Sequence, residues 1–156
     1  MTLDDLTVDF KHLDRQRLLS DWSWFLGTRK APILVTAMGN AFVQDLDTGG
    51  IEFLDIGTPD LVAVAEATED LECELSQQAF VLKFFDVSLA AELLKAGPLA
   101  IGTVFGFRRL PKLGGEYVVE NFEPTDIEVH FSLSGQLHEK LAKLPPGQAI
   151  GQVTVK

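Results

Sequence analysis

The chain has 156 residues, of which 46% are hydrophobic and 23% charged, with a formal net charge of −10 at pH 7. A chain of this length can bury roughly 70% of its unfolded surface, so it can fold as one domain without disulfides or metals, and its composition excludes a mainly disordered protein. Its acidity disfavours binding to nucleic acid or to anionic membranes.

Two helices are predicted at the start of the chain. Apolar residues at helical spacing predict a short helix over residues 3–12, within an N-terminal extension formed by residues 1–13. Asp14 is a suitable N-cap for a second helix with one apolar stripe, and Gly27 is a suitable residue to end it. Trp24 is expected at the edge of the core or exposed, because it lies off this stripe.

Four strands separated by turn signals follow, at residues 33–37, 41–46, 51–56 and 61–66. Short turns can join only antiparallel strands, since a parallel return needs a crossover of about a dozen residues. The pattern therefore predicts an antiparallel meander.

Further helices are predicted after the meander. Thr68 is the expected N-cap of a helix whose apolar face carries Leu71, Leu75, Ala79 and Leu82, and the period of residues 80–85 is ambiguous between this helix and the next. Residues 87–96 are predicted to form the next helix, ended by Gly97-Pro98.

The C-terminal part is predicted to contain strands and one more helix. Strands are expected at residues 103–107, at 117–119 and, most clearly, at 127–131, where apolar and polar residues alternate. Ser132 is the expected N-cap of a helix reaching residue 143, with a core stripe of Leu133, Leu137, Leu141 and Leu144. Residues 149–156 are expected to add an edge strand or to be disordered.

These elements predict an α+β fold: an antiparallel β-sheet, a meander in its first half, with helices packed on one side and at both ends. The prediction is a single domain over residues 1–156. The opening residues carry acids instead of the bases and apolar run of a signal peptide, and no apolar stretch reaches a membrane span of about 20 residues. With the lone Cys73, these features make the cytoplasm the expected location.

The acidity is confined to one segment, residues 31–82, which has ten carboxylates and no Lys or Arg. The rest of the chain has equal numbers of acids and bases. An acidic surface of this kind favours a basic partner, although acidity for solubility alone is the plainer interpretation. The ten are Asp45, Asp47, Glu52, Asp55, Asp60, Glu66, Glu69, Asp70, Glu72 and Glu74.

No residue pattern points to catalysis, to a metal or to a cofactor. The histidines, His12, His130 and His138, lack the paired spacings of metal sites, and Ser134 is not flanked as in a nucleophile elbow. The acids at 116, 120, 123, 126 and 128 are best explained as a solvated loop, with Asn121 and Tyr117 making turn hydrogen bonds.

The C-terminal half nevertheless resembles a known family. The carrying motifs are Gly114-Gly115-Glu116-Tyr117, Glu120-Asn121, Gly135-Gln136-Leu137-His138 and Leu144-Pro145-Pro146-Gly147. They resemble the C-terminal domain of immunity proteins against type VI secretion DNase toxins, a GAD-related domain of unknown function. Segments 24–27, 34–42 and 51–55 look like the family's earlier strands and turns, so the resemblance covers roughly residues 17–150.

The resemblance implies a non-enzymatic bacterial immunity-type protein that neutralises a cognate toxin, expected to be a basic nuclease. The resemblance itself assigns no contact residues; the acidity of residues 31–82 makes the following acids the expected toxin contacts: Asp45, Asp47, Glu52, Asp55, Asp60, Glu69, Asp70, Glu72 and Glu74. The motif positions, to which no role is assigned, are Gly114, Gly115, Glu116, Tyr117, Asn121, Gln136 and His138.

The sequence departs from the family at two points, and two other functions remain as alternatives. Asn40 stands where the family is expected to have Asp, and the GAD-like domain that often precedes this one is not within the sequence, which leaves room for a stand-alone relative with another partner. One alternative is a small-molecule-binding or regulatory domain with an apolar pocket between helices and sheet. The other is a hydrolase working through residues 116–138.

Overall fold

The computed structural model describes residues 1–144, so the expected edge strand or disorder at 149–156 lies outside the described residues. The helices are α1 (Arg15–Leu18), α2 (Ser23–Leu26), α3 (Thr68–Leu75), α4 (Gln78–Phe84), α5 (Val87–Leu94) and α6 (Ile127–Ala142). The strands are β1 (Lys30–Val35), β2 (Ala41–Asp45), β3 (Ile51–Asp55), β4 (Asp60–Ala65), β5 (Thr103–Phe107) and β6 (Phe122–Asp126). None of the described helices is long and apolar enough to cross a membrane.

The predicted meander is confirmed. Strands β1 to β4 are antiparallel neighbours in chain order, and β5 pairs with β6 in a second, two-stranded sheet. Each strand of the meander follows its predecessor after a short turn, so the local turn signals were sufficient to predict the topology. The α+β class is therefore confirmed as well.

Helices cover both faces of the meander, whereas the prediction placed them on one side. Phe42 and Phe53 are directly paired on one face, where they pack in a cluster with Phe80 of α4 and Phe85. On the opposite face, Val43 packs with side chains of α6 and of the segment before β1. Because successive residues of a strand point to opposite sides, both faces of these central strands are apolar and both need cover.

The N-terminal helix predicted over residues 3–12 is wrong. Only Leu3–Leu6 form a 3₁₀ turn, and the chain then runs extended beside the end of β1. The Val8 amide donates to the carbonyl of Val35 at 2.9 Å, and the Ala37 amide donates to that of Leu6 at 2.8 Å. These backbone bonds to the sheet take the place of helical ones.

The second predicted helix has the expected ends but an irregular middle. The Asp14 carboxylate accepts the amide of Gln16, which confirms the N-cap, and α2 ends at Gly27 with a positive φ. A 3₁₀ turn at Ser20–Trp22 separates α1 from α2. Trp24 is half-buried, and its indole N–H donates to the carbonyl of Gly135, which places it at the core edge as predicted.

The helix predicted from residue 68 is two helices, α3 and α4, with a break between them. The break changes which side chains face the core: Phe80 is buried, whereas Leu82 is 55% exposed. The N-cap position is Ala67 and has no side-chain cap, so Thr68 is not the cap. Its hydroxyl instead accepts a bond from Gln44. The helix predicted at 87–96 is confirmed as α5.

The strand predicted at residues 127–131 is wrong, because these residues are the start of α6. The Asp126 carboxylate accepts the amides of Glu128 and Val129 and is the true N-cap, so Ser132 is not. The leucine stripe is not the buried face either: Leu133 is 45% exposed. Strand β5 is confirmed, but residues 117–119 form no strand, and β6 was not predicted.

Candidate functional site

The structure divides the ten acids of residues 31–82 into three groups. Two of them are neutralised within the chain: Asp47 pairs with Arg29 at 3.0 Å, and Glu52 on β3 pairs with Lys30 on β1. Both bases stand just before the acidic segment in sequence. The antiparallel sheet brings them to these acids, because it pairs Lys30 of β1 with Asp45 of β2 and sets β3 beside β2.

Two further acids hold turns of the meander. The Asp45 carboxylate accepts the amides of Asp47 and Thr48 at 2.8 and 3.1 Å, and these bonds lower the pKa of Asp45. The Asp55 carboxylate accepts the amide of Gly57 at 3.0 Å, and burial raises the pKa of Asp55. Their local roles explain these two acids without a partner protein.

The remaining six acids are exposed, and none of them forms an ion pair within residues 1–144. They lie on β4, on α3 and on the turn between these elements. We call this set the β4–α3 acidic surface: Asp60, Glu66, Glu69, Asp70, Glu72 and Glu74. Glu66 was not among the nine acids predicted as toxin contacts, although its position in the acidic segment was the available signal.

Strand β4, which carries one end of this surface, is the outer strand of the meander. Its only strand partner in the described part of the chain is β3. Val62 is 39% exposed and Ala63 is exposed as well. The acidic surface therefore adjoins a strand edge whose side chains are apolar.

Two buried histidines of α6 connect the helix to the turns of the meander. The Nε2 of His130 lies 2.8 Å from the Gly39 carbonyl oxygen, and the Nε2 of His138 lies 2.7 Å from that of Ile56. The Asn40 side chain accepts the amide of Ile56 at 2.9 Å and joins the same two turns. We call His130, His138 and Asn40 the histidine clamp. The strand predicted at residues 127–131 would have put His130 on its polar face, which is wrong.

Both histidines are neutral donors at pH 7. A carbonyl oxygen only accepts, so each Nε2 carries the proton. Burial lowers the pKa of His130 to about 4, and burial also lowers the pKa of His138. The two rings bind different carbonyls, and no set of three or more His, Cys, Asp or Glu residues in the described chain is arranged to hold a metal ion.

The pH dependence of stability tests this assignment. His130 binds a proton near pH 6.5 when unfolded but only near pH 4 when folded, so its contribution to stability is lost as pH falls through this window. We expect His130→Gln, which retains a donor but does not titrate, to reduce the stability loss between pH 7.5 and pH 5 by about 2 kcal/mol. Urea unfolding across this range measures it.

His12→Gln is the matched control, because His12 is exposed. The control is expected to follow the pH dependence of the unchanged chain. Equal pH profiles for His130→Gln and the unchanged chain would contradict a neutral, buried His130.

The motif residues Gly114, Gly115 and Asn121, here called the glycine–asparagine motif, shape a loop, and the bonds of this motif are structural. A Cβ on Gly115 would lie 2.7 Å from the Arg109 carbonyl carbon, so only glycine fits there. The Asn121 side chain accepts the Arg109 amide and donates to the carbonyls of Arg109 and Glu116, each at 2.9 Å. This confirms the predicted turn bonding of Asn121. Tyr117 packs edge-on against Phe107 and is 47% exposed.

The last motif position, Gln136, belongs to a polar contact between α6 and the 3₁₀ turn at Ser20–Trp22. Its side-chain amide donates to the Ser132 hydroxyl at 3.0 Å, and that hydroxyl donates to the Asp21 carboxylate at 2.6 Å. The two segments approach each other closely here, since a Cβ on Gly135 would lie only 2.8 Å from the Asp21 carbonyl carbon.

The groups suggested for a hydrolase make structural bonds. The Ser134 hydroxyl donates to the backbone carbonyl of His130 at 2.7 Å and accepts from the Trp22 indole, so it does not bond a histidine ring. Asp126 caps α6, and Glu123 pairs with Arg108 at 3.2 Å. These contacts give no nucleophile–base pair.

A groove of about 810 Å³ lies between the N-terminal segment and strands β1 and β2. Its lining is mixed, with Asp9, Lys11, Arg15 and the exposed Ile101 among its residues. The Arg15 side chain is already engaged, since it donates to the Pro32 carbonyl at 2.8 Å. The groove is large enough for a metabolite but does not focus several free polar groups on one point.

A comparison with protein families tests the resemblance to type VI secretion immunity proteins. Residues 65–138 match the family described as T6SS immunity protein Tdi1, C-terminal. The immunity-family resemblance is confirmed. The matched range runs from the last residue of β4 to His138 and holds five acids of the β4–α3 acidic surface. The segments 24–27, 34–42 and 51–55, which look like earlier parts of the family, lie before it.

A solved structure shares the fold. The chain superimposes on the crystal structure of Atu4351 from Agrobacterium tumefaciens with a TM-score of 0.58 at 16% sequence identity. The match covers 80% of this chain but only 65% of Atu4351, so this chain spans about two thirds of that protein's length. No curated protein matches the chain. At this identity the likeness concerns the fold.

Proposed function

We propose that this chain is a non-enzymatic bacterial immunity-type protein that neutralises a cognate toxin, a basic nuclease, by binding it through the β4–α3 acidic surface. The match of residues 65–138 to the immunity family supports the toxin-neutralising role. The observation that carries the proposal is that six exposed acids adjoin one another in sequence and lack ion-pair partners within residues 1–144.

The physical argument for a nuclease is charge complementarity. An enzyme that binds phosphodiesters presents a basic cleft, and an acidic surface accelerates encounter with such a cleft and competes with DNA for it. Asp47 and Glu52, which bases of the chain neutralise, would contribute less to this attraction. A toxin that degrades DNA acts in the cytoplasm, so we propose the same location for this protein.

The proposal of a non-enzymatic protein is supported by the structural hydrogen bonds that the candidate catalytic side chains already make. His130 and His138 bond backbone carbonyls, and Ser134 bonds the carbonyl of His130. A small-molecule-binding function is the second candidate, because the groove beside β1 has the volume that ligand sites commonly have. It ranks second because the family match provides independent support for binding a protein.

Charge reversal on α3 tests the proposal. The probe is the protein encoded by the neighbouring gene, and its affinity for the chain is measured by titration calorimetry at two salt concentrations. We expect Glu72→Lys with Glu74→Lys to weaken binding by about tenfold or more at low salt, and to reduce the salt dependence, because attraction becomes repulsion. Both positions avoid the first turn of α3, where the helix dipole favours acids.

Glu116→Lys with Glu120→Lys is the matched control. Both residues are exposed, and the change in net charge is the same. If the control weakens binding as much as the α3 variant, net charge and not this surface governs association. Failure of the unchanged chain to bind the probe would overturn the proposed function.

A further inference from the structure

The outer edge of β4 has backbone groups that point away from the sheet. The amide of Leu61 is bonded by the carboxylate of Asp60 at 3.0 Å and therefore does not donate to β3. In an antiparallel ladder the inward-bonding and outward-pointing residues alternate, so Ala63, opposite Glu52, also directs its N–H and C=O outward. Ala63 thus offers its N–H and C=O to a further strand, and Leu61 offers its C=O, while the Leu61 amide is bonded to Asp60 in the free chain.

Natural edge strands are protected by Lys, Pro, a β-bulge or a covering element. This edge has a register shift opposite Ile51 and Glu52, between Ala63 and Ala65, but it lacks the two protective residue types. Strand β4 has neither residue between Asp60 and Ala65, its central Val62 and Ala63 are exposed, and no other described strand pairs with this side. The strand has six residues, five of them apolar, and is long enough to pair with an extended segment.

The acids at the two ends of β4 indicate which kind of segment would pair with its edge. Asp60 opens the strand, Glu66 follows its last residue, and Glu69 and Asp70 of α3 lie just beyond. Antiparallel pairing with a second copy of β4 would bring Asp60 of one copy near Glu66 of the other, and like charges in such positions repel. A segment with basic flanks would instead find a carboxylate at each end.

We propose that β4 binds an extended, basic-flanked segment of the toxin as a fifth strand of the meander. The proposal rests on the function proposed above and names how the partner is held. Main-chain hydrogen bonds at Leu61 and Ala63 supply the pairing, and the acids at the two ends of β4 select the partner and its register.

Ala63→Pro tests the pairing directly. Proline removes the outward N–H of residue 63 and is tolerated on an edge strand when that group faces solvent, so the ladder with β3 is retained. Binding to the protein of the neighbouring gene is expected to weaken by about tenfold or more, because a lost main-chain bond and the proline ring both oppose a fifth strand. The thermal midpoint, followed by circular dichroism, shows whether Ala63→Pro is folded.

Ala63→Val is the control, because it retains the N–H and suits a strand. It is expected to bind more tightly than Ala63→Pro, because the main-chain bond at residue 63 is kept. If folded Ala63→Pro binds as tightly as Ala63→Val while reversal of Glu72 and Glu74 weakens binding, the edge-pairing proposal is wrong and the toxin-binding function stands. If the unchanged chain does not bind this protein at all, both proposals are overturned.

Hydrogen exchange gives a second measurement on the same proteins. The amides of Leu61 and Ala63 are expected to exchange more slowly in the complex than in the free chain, since pairing would bury and bond them. Unchanged exchange at both amides in a formed complex would overturn edge pairing. Slowed exchange that depends on chain concentration without the partner would also overturn it, in favour of pairing between two copies.

Discussion

Replacing Gly39 by alanine is expected to lower the free energy of unfolding by about 3 to 5 kcal/mol. Gly39 has φ +83°, a conformation that a Cβ makes unfavourable, and the added Cβ would lie 2.7 Å from Cε1 of His130. The His130 ring is buried and is held by the Gly39 carbonyl itself, so it cannot move aside without breaking the clamp. Urea unfolding monitored by tryptophan fluorescence measures the loss.

Gly49→Ala separates the two causes of this loss. Gly49 has nearly the same φ, +80°, but nothing lies within 4 Å of the added Cβ. Its substitution is expected to cost only the backbone term, about 1 to 2 kcal/mol. Equal losses for the two variants would show that α6 yields to the Cβ and that the clamp does not hold the helix tightly.

The meander could be predicted from the sequence because its information is local. Gly39-Asn40 and Gly49-Gly50 stand between short apolar runs, and turns this short permit only antiparallel neighbours. The packing of helices on both faces could not be predicted in the same way. It depends on which of the alternating side chains each helix covers, and this is a long-range property.

The misassigned start of α6 shows where periodicity becomes misleading. Ile127, Val129 and Phe131 alternate with polar residues as in a strand, but Ile127 and Phe131 are buried whereas Val129 is 47% exposed, so the three do not share one buried face. The buried face of α6 includes His130 and His138, eight residues apart, which bond backbone instead of presenting apolar groups. A helix that buries polar side chains is poorly recognised from hydrophobic spacing alone.

Counting charged residues was enough to find the acidic segment, but it did not show which of its acids form ion pairs within the chain. A sequence shows that residues 31–82 lack bases, yet the neutralising Arg29 and Lys30 lie just outside this segment and reach it only through the pairing of β1 with β2. Register decides which acids stay unpaired. The six acids of the β4–α3 acidic surface are therefore a result of the fold; five of them are among the nine acids predicted as toxin contacts, and Glu66 is added.

The side chain of Asn121 provides the second large test, this time of the glycine–asparagine motif. Asn121→Ala is expected to lower the free energy of unfolding by about 3 kcal/mol, because it removes three partly buried hydrogen bonds at roughly 1 kcal/mol each. It also leaves the Arg109 amide and two carbonyls, those of Arg109 and Glu116, without these partners. Urea unfolding at neutral pH measures the loss.

Two comparisons show whether the bonds themselves are responsible. Glu120→Ala, at the exposed neighbouring position, is expected to change stability by less than about 0.5 kcal/mol. Asn121→Asp retains the acceptor for the Arg109 amide but places a carboxylate oxygen against two carbonyls, where the amide had donated. It is therefore expected to be at least as destabilising as alanine at neutral pH, since like partial charges repel in a buried site. Near-native stability of Asn121→Asp would mean that the two donated bonds contribute little, and that Gly115 alone enforces the close approach of this loop to Arg109.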